Sequence, residues 1–515
     1  MIPVIDLFAG AGGLGEGFSS LHDKSGKPVF QTIMSIECNE QAHRTLLLRS
    51  YLRKILNADG CLPDVYLQYM EKQDHETLER LKEYSPSCWK EASREALCRT
   101  LVEGDNTYVE EAKNRIESLG NEYKNEPLVI IGGPPCQAYS LVGRSRRAHD
   151  EDFDKDVKHT LYKCYLSFIE GLKPDIFVME NVKGLLSAKH NGEGVFRHIL
   201  DDMDKAGYEI RSLTTHSPER SRDYIVRAEL YGIPQRRHRV ILIGVKKNSS
   251  LNTGLLWKRE EIVLGDALAG MPRIRSGLSK RNPNWREMNW ANYVDEAARR
   301  LESSGKCNEL GSVLDTVVSS DLPKNMSENH VADQKGKYDS WYRAHFNGSK
   351  LLTDHVARTH LAADLDRYLF CAAYAEVHGE PAKLENFPEA LLPNHKNVQN
   401  CLQLSRSGGG YEFDDRFRVQ LASSPSTTIT SHIAKDGHYY IHPDPMQCRS
   451  LTVREAARLQ TFPDDYFFEG NRTSRYIQVG NAVPPLLAQQ IAAVVAKALG
   501  KECHGFFEEM KIVGR

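Results

Sequence analysis

The chain has 515 residues, 40% hydrophobic and 26% charged, with a net charge of −2 at pH 7. This length and composition suit two or more globular domains and exclude a disordered or fibrous chain. The near-neutral balance excludes a global pull towards nucleic acid, so any polyanion site must come from local clusters of basic residues. The 11 cysteines form an odd set without a Cys-x-x-Cys pair, so neither a disulfide framework nor a zinc site is expected. Met1 leads within a few residues into the strand-like "PVIDLF", and no apolar stretch reads as a bilayer span. A cytoplasmic location with no membrane partner is the expectation.

From Ile2 to about Gly244 the runs "VIDLF", "TIMSIE", "LVIIGG", "DIFVMEN" and "RVILIGV" are rich in β-formers, with helical stretches between several of them. That alternation predicts a doubly wound α/β fold with a mostly parallel sheet. Between about Ser50 and Leu119, "HETLERLKEY" and "VEEAKNRIESL" read as charged amphipathic helices, and part of this segment is expected to be an insertion packed on the outside. After about Val263 the alternation stops. A region rich in Arg, Asn, Ser, Gly and aromatic residues then runs to about Pro445, with one clear helix in "LAADLDRYLFCAAYAEVHG". "LTVREAARLQ" follows with Thr452 and Glu455 in capping-box spacing, and "PLLAQQIAAVVAKAL" reads as an apolar helix returning to the first domain. The domains predicted are residues 1–262 with 447–515, discontinuous, and a smaller, irregular unit at 263–446.

"DLFAGAGGLGEGF" follows the first strand, and Gly10, Gly12 and Gly15 satisfy the Gly-x-Gly-x-x-Gly spacing; Glu37 ends the second strand. Its physical content is a tight turn, close backbone approach to a ligand and a carboxylate able to accept from ribose hydroxyls. On this loop alone, a nicotinamide enzyme and an S-adenosylmethionine enzyme are both open. "GGPPCQAYS" places Cys136 after two prolines at the end of another apolar run. A buried cysteine is ordinarily a small hydrophobe; here prolines would hold it rigidly where α/β proteins place ligands.

Four further stretches decide between these readings: "DIFVMENVKG" with Glu180-Asn181-Val182, "YGIPQRRHRVILIG" with Gln235, Arg237 and Arg239, "RSLTVREAARLQTFPDDY", and "QVGNAVPP". Read singly, each has an ordinary structural explanation. Together and in this order with the glycine loop and Pro-Cys-Gln, they resemble the DNA (cytosine-5) methyltransferase family of restriction-modification type. The resemblance covers most of residues 1–250 and 447–490 and fades at 263–446.

The resemblance implies methylation of carbon 5 of cytosine in a specific sequence of double-stranded DNA. Carbon 5 is a poor nucleophile, so a thiolate, matched by Cys136, adds to carbon 6 and makes carbon 5 enamine-like. A free thiol has a pKa near ~8.5, so neighbouring positive charge such as Arg239 would raise the thiolate fraction. Glu180 takes the position that shares a proton with ring nitrogen 3, Arg239 would hold the base carbonyl, and Asn181 shapes the pocket. Gln137, Gln235 and Arg237 belong to the same matched blocks, Gln235 and Arg237 as braces.

The implied donor is S-adenosylmethionine. Phe8 would stack on its adenine, with Ala9, Gly10, Gly12 and Gly13 admitting its methionine portion and Glu37 taking the ribose. Asp105 is the candidate near the adenine amino group, Pro134 borders the site, and Asn481 with Val483 closes it. The cytosine must leave the duplex, at a cost of a few kcal/mol. The loop after Cys136 carries Ser140, Gly143, Arg144, Arg146 and Arg147, suited to closing over phosphates. Thr428 matches a threonine that orders the recognition loops.

A transfer-RNA cytosine-5 methyltransferase is the nearest rival, but that branch resembles Pro-Cys-Gln-Pro-Phe-Thr where this chain has Pro-Cys-Gln-Ala-Tyr-Ser. A nicotinamide-dependent oxidoreductase leaves Glu180, Gln235 and Asn481 unexplained. A monomer on DNA is expected, with a cognate restriction endonuclease or defence system as genetic neighbour.

Overall fold

The computed structural model describes residues 1–123, 125–135, 161–190, 193–303, 307–393, 398 and 416–509. The chain divides into two compact units, one of residues 1–261, 460–470 and 481–515, the other of residues 262–459 and 471–480. Residues 447–459 and 471–480, expected with the first unit, therefore cluster with the second.

The first unit is built on a sheet whose strands are β1 (Ile2–Leu7), β2 (Phe30–Glu37), β3 (Ala96–Cys98), β4 (Val129–Gly132), β5 (Ile176–Val182), β6 (Tyr208–Arg211), β7 (Ile225–Arg227) and β8 (His238–Lys246). Their order is β3-β2-β1-β4-β5-β8-β6, with β7 also on β8. Neighbours from β3 to β5 are parallel. β8 runs antiparallel to β5, β6 and β7. Strand polarity is invisible in "RVILIGV", because a fully buried strand has the same composition in either direction.

β1 is buried along its whole length, as a central strand covered on both faces must be. The chain passes from β1 to β2 on one side and later returns to place β4 on the other. The carboxyl ends of β1 and β4 thus flank a topological switch point, where open α/β sheets bind ligands. Helix α1 (Gly13–Ser19) starts directly after β1.

The segment between β2 and β4 holds α2 (Glu40–Asp59), α3 (Asp64–Lys72), α4 (His75–Tyr84), α5 (Pro86–Glu95) and α6 (Thr107–Glu117). Part of it joins the sheet, as edge strand β3 on β2. Three residues are too few to leave a periodic signal. Downstream lie α7 (Leu161–Leu172) and α8 (Val195–Lys205).

The second unit has its own core, built around α9 (Trp290–Ser303), α10 (Gly311–Ser319) and α11 (Ala362–His378). The region is more helical than the one helix expected. α9 buries Trp290, Val294, Ala297, Ala298 and Leu301 at helical spacing, but its alanines and charges dilute the apolar signal. α12 (Val453–Leu459) opens with the expected capping box: the Thr452 N–H donates to Glu455 Oε2 at 2.7 Å, and the Glu455 N–H donates to Thr452 Oγ1 at 3.2 Å. Glu455 also takes the buried Arg449 guanidinium at 2.7 and 2.6 Å. α13 is Arg472–Asn481.

α14 (Pro485–Ala498) belongs to the first unit and packs on α1, as expected of a returning helix. The packing is close: a Cβ on Gly17 would lie 2.3 Å from that of Ala488. The stretch Arg472–Ala498 is long and apolar enough to cross a membrane by length and composition, where the sequence reading expects no such stretch, and 89% of its apolar 18-residue window is buried within the protein.

Candidate active site

β4 and β5 pair in parallel with Gly132 opposite Met179, so the next residues along, Gly133 and Glu180, meet at the same carboxyl end. A Cβ on Gly133 would lie 3.0 Å from Glu180 Oε2, so glycine lets the chain pass the carboxylate on its way into Pro134. On the other side of β5, Arg239 of β8 stands opposite Val182, and its Nε lies 2.9 Å from Glu180 Oε1. Both side chains are largely buried, at 14% and 13% exposure. Burial pulls Arg239 below the ordinary guanidinium range, and the Glu180 carboxylate works against that pull. A second Arg239 donor, Nη1, binds the carbonyl of His238 at 2.9 Å.

Asn181 ties the two strand ends together. Its side-chain amide donates to the Pro134 carbonyl at 3.1 Å, and its Oδ1 accepts from the Val182 N–H at 2.9 Å. Gln235 and Arg237 are fully buried, and Gln235 donates to Gln460 Oε1 at 3.0 Å. Both lie where the chain enters β8. Gln460 lies within the "RSLTVREAARLQTFPDDY" stretch, and only the fold brings it to Gln235.

The glycine loop turns at the end of β1 with Phe8, Gly10 and Gly12 at φ of 56, 58 and 89°. Left-handed backbone is strained for a phenylalanine and ordinary for glycine, so the loop over-determines the position of the Phe8 ring. A Cβ on Gly10 would meet nothing within 4 Å, which leaves open space over that backbone. The other glycines admit protein. A Cβ on Gly12 would strike Tyr466 and Leu46, one on Gly13 would sit 2.3 Å from the Val483 carbonyl, and one on Gly15 would sit 2.8 Å from Asp6 Oδ2. Their smallness serves internal packing, whereas the sequence reading gave Gly12 and Gly13 to the ligand.

Glu37 is brought to this loop and fixed by its backbone. Its Oε2 accepts from the Gly10 N–H at 2.8 Å and its Oε1 from the Asn39 N–H at 2.7 Å. Oε1 also takes the Cys38 thiol at 3.6 Å, while Oε2 keeps a lone-pair direction for a further donor. Ala9, buried beside it, donates its N–H to the Ile36 carbonyl at 3.0 Å.

Asp105 is exposed, and its Oδ1 accepts from the Thr107 N–H at 2.9 Å at the start of α6. The Thr107 side chain and backbone hold its carboxyl below the usual range. These contacts stay within its own turn. Asn481 is exposed at the end of α13, and Val483 is buried beneath Gly13. Thr428 lies in the second unit, where its carbonyl accepts from the Tyr440 hydroxyl at 3.0 Å. Cys136, Gln137, Ser140, Gly143, Arg144, Arg146 and Arg147 lie outside the described residues.

A sheet with its switch point at a glycine loop and one antiparallel strand beyond β5 is the fold of the S-adenosylmethionine-dependent methyltransferases. A crystal structure of a prophage-encoded DNA modification methyltransferase from E. coli superposes with a TM-score of 0.52 at 19% identity, covering 97% of this chain and 100% of that one. Among curated proteins, the type II methyltransferase M.Bpa9945I of Bacillus paralicheniformis is 34% identical over 505 residues, 96% of this chain and 98% of its own. M.AgeI of Thalassovita gelatinovora, also a type II methyltransferase, is 26% identical over 507 residues, 96% and 99%. The DNA (cytosine-5-)-methyltransferase M.ApeKI of Aeropyrum pernix is 25% identical over 420 residues, 72% and 81%. The profile of the family described as C-5 cytosine-specific DNA methylase matches residues 83–497; the chain belongs to that family and is a DNA (cytosine-5-)-methyltransferase of prokaryotic type. Family and fold together imply S-adenosylmethionine as methyl donor and DNA as substrate.

Proposed function

We propose that this enzyme methylates carbon 5 of one cytosine within a specific double-stranded DNA sequence, with Cys136 adding covalently to carbon 6 of the everted base. The observation that carries the reading is the Glu180–Arg239 pair, 2.9 Å apart, beside the Gly133-Pro134 turn that leads into Cys136. A buried carboxylate and guanidinium side by side match the edge of a cytosine, which offers an amino donor, a ring nitrogen and a carbonyl acceptor.

In this reading the Cys136 thiolate gives its electron pair to carbon 6, and the carbon 5–carbon 6 π pair shifts into the ring. Once carbon 5 carries the methyl group, a base takes its proton and elimination breaks the sulfur–carbon bond, freeing the thiolate. Glu180 shares a proton with ring nitrogen 3 as charge gathers there, and Arg239 turns its remaining donors to the base carbonyl. Asn181 keeps β5 and the Pro134 turn at fixed separation. S-adenosylmethionine supplies the methyl group when bound. Open space over Gly10, the constrained Phe8 ring and the backbone-held Glu37 carboxylate fit such a group. Phe8 would take its adenine and Glu37 its ribose, with Ala9, Gly10 and Pro134 along it and Asp105, Asn481 and Val483 at its edges.

The first unit would then carry the chemistry and the second would read the target, with the basic loop that includes Arg144, Arg146 and Arg147 closing over phosphates. A monomer acting on cytoplasmic DNA, paired genetically with a restriction endonuclease, is part of the same proposal. Bisulfite sequencing of DNA from a host expressing the chain tests it. One recurrent sequence context should be fully protected with the wild type and unprotected with Cys136→Ser; protection scattered without context, or retained by Cys136→Ser, would refute it.

A further inference from the structure

The chemistry above leaves unused a set of buried charges on the protein side of the glycine loop. Glu16, on α1 immediately after the loop, takes Arg49 of α2 through both of its oxygens, one contact being Arg49 Nε to Oε2 at 2.9 Å. The same guanidinium binds Asp465 Oδ1 at 3.0 Å. Arg53 lies 3.6 Å from Glu16 and 3.0 Å from Glu95, and Lys54 lies 2.6 Å from Glu95. Glu16, Glu95 and Asp465 thus stand against Arg49, Arg53 and Lys54. Arg49, Glu16 and Asp465 are almost wholly buried. Burial alone would depress Arg49, but Asp465 and Glu16 more than reverse it and keep it charged.

One residue connects this network to the loop. Tyr466 donates its hydroxyl to the Ala11 carbonyl, between Gly10 and Gly12, and its ring lies under the Arg49 guanidinium at 4.8 Å. The helices between β2 and β3 hold the 460–470 segment from the other side. Tyr66 donates to the Asp465 carbonyl at 2.8 Å, Tyr69 donates to the Glu469 carboxylate, and the Glu469 N–H donates to Thr45 at 2.8 Å.

We infer that Arg49 and Tyr466 are positioning residues for the methyl donor: the helices inserted after β2 and the 460–470 segment form a clamp that fixes the glycine loop in its left-handed conformation. The physical reason is that Phe8, held at a φ of 56° beside the freely turning glycines, stores strain that its surroundings must hold in place. Tyr466 holds the carbonyl between the two glycines, and Arg49 fixes Tyr466 and α1 together. The clamp touches no reacting atom, so it should act on donor affinity and leave the chemical step alone. This rests on the reading of the glycine loop as the donor site.

The test measures S-adenosylmethionine binding to the full chain by calorimetry, together with KM and kcat. Tyr466→Phe removes one oxygen and keeps the ring. It should raise the donor Kd and KM by about tenfold, the worth of one buried hydrogen bond, with kcat at saturating donor and KM for DNA within about twofold. Tyr51→Phe is the comparison, since Tyr51 is a buried tyrosine of α2 donating to the Leu81 carbonyl outside the network; it should cost stability without changing donor affinity. Arg49→Met should weaken binding further and Arg49→Lys restore part of it. An unchanged donor Kd in Tyr466→Phe, or an equal rise in Tyr51→Phe, would overturn the inference. Glu37→Ala separates the underlying reading: if it also binds donor normally, the loop is not the donor site.

Discussion

Glu180 and Arg239 face each other across the antiparallel β5–β8 pair, carboxylate oxygen 2.9 Å from guanidinium nitrogen, where β5 adjoins the Gly133-Pro134 turn. Glu180→Gln keeps the shape and removes the carboxyl group proposed to carry the proton. Methyl transfer should fall by about 10²–10⁴-fold, the usual share of a general acid, while donor affinity stays within about twofold. Because Arg239 would lose its partner in a largely buried site, a stability loss on the order of 3 kcal/mol should accompany it. Single-turnover methylation and urea unfolding of the same preparation read both, and undiminished methyl transfer would remove Glu180 from the chemistry.

Asp6 on β1 gives a pH prediction. Burial raises its carboxyl to about 8, with Glu37 and Glu95 adding to the rise and Arg53 opposing it. Its Oδ1 has no hydrogen-bond partner among the described residues. The native state therefore keeps a proton that the unfolded chain releases above the ordinary value of 3.8. This contribution to stability is complete below about pH 4 and is lost as pH rises through about 8. Asp6→Asn stays neutral and should flatten that slope by roughly a few kcal/mol between about pH 5 and about pH 9. Parallel slopes for variant and wild type in urea unfolding would contradict the burial argument.

Gly13→Ala tests why glycine stands at the first turn of α1. In an open helix the change gains up to about 1 kcal/mol. Here the new Cβ would sit 2.3 Å from the Val483 carbonyl and 3.2 Å from the Ala482 Cβ. A loss of about 1–3 kcal/mol and weaker donor binding are expected as the 482–483 segment is pushed off the loop. Gly311→Ala, at the start of α10 with nothing within 4 Å of its Cβ, should be neutral or slightly stabilising in the same unfolding assay.

Sheet strands and chemistry-bearing motifs were legible because each is local. β1, β2, β4, β5 and β8 are apolar runs ending in turn residues, and Glu180, Arg239 and Glu37 sit at strand ends where side chains converge. Less was legible wherever meaning depends on distant partners. Nothing local distinguishes Gly10, with open space over its backbone, from Gly13, which is packed against Val483, and nothing local brings Gln460 to Gln235 or Tyr466 to Ala11. β3 was too short to show a period, α9 too rich in alanine and charge, and the reversed direction of β8 leaves no compositional mark. Asp105, matched through a variable stretch, lies in a turn that its own helix start explains.

The central claim is a transient bond between the Cys136 sulfur and carbon 6 of cytosine. Duplex DNA containing the bisulfite-mapped target with 5-fluorocytosine at the methylated position blocks loss of the carbon 5 substituent, and should trap it. With S-adenosylmethionine present, the wild-type chain is predicted to form a denaturation-resistant protein–DNA adduct, mapped by mass spectrometry to the peptide containing Cys136, and Cys136→Ser to form none. Full methylation of ordinary target DNA by a preparation that yields no adduct on the fluorinated duplex would contradict the account.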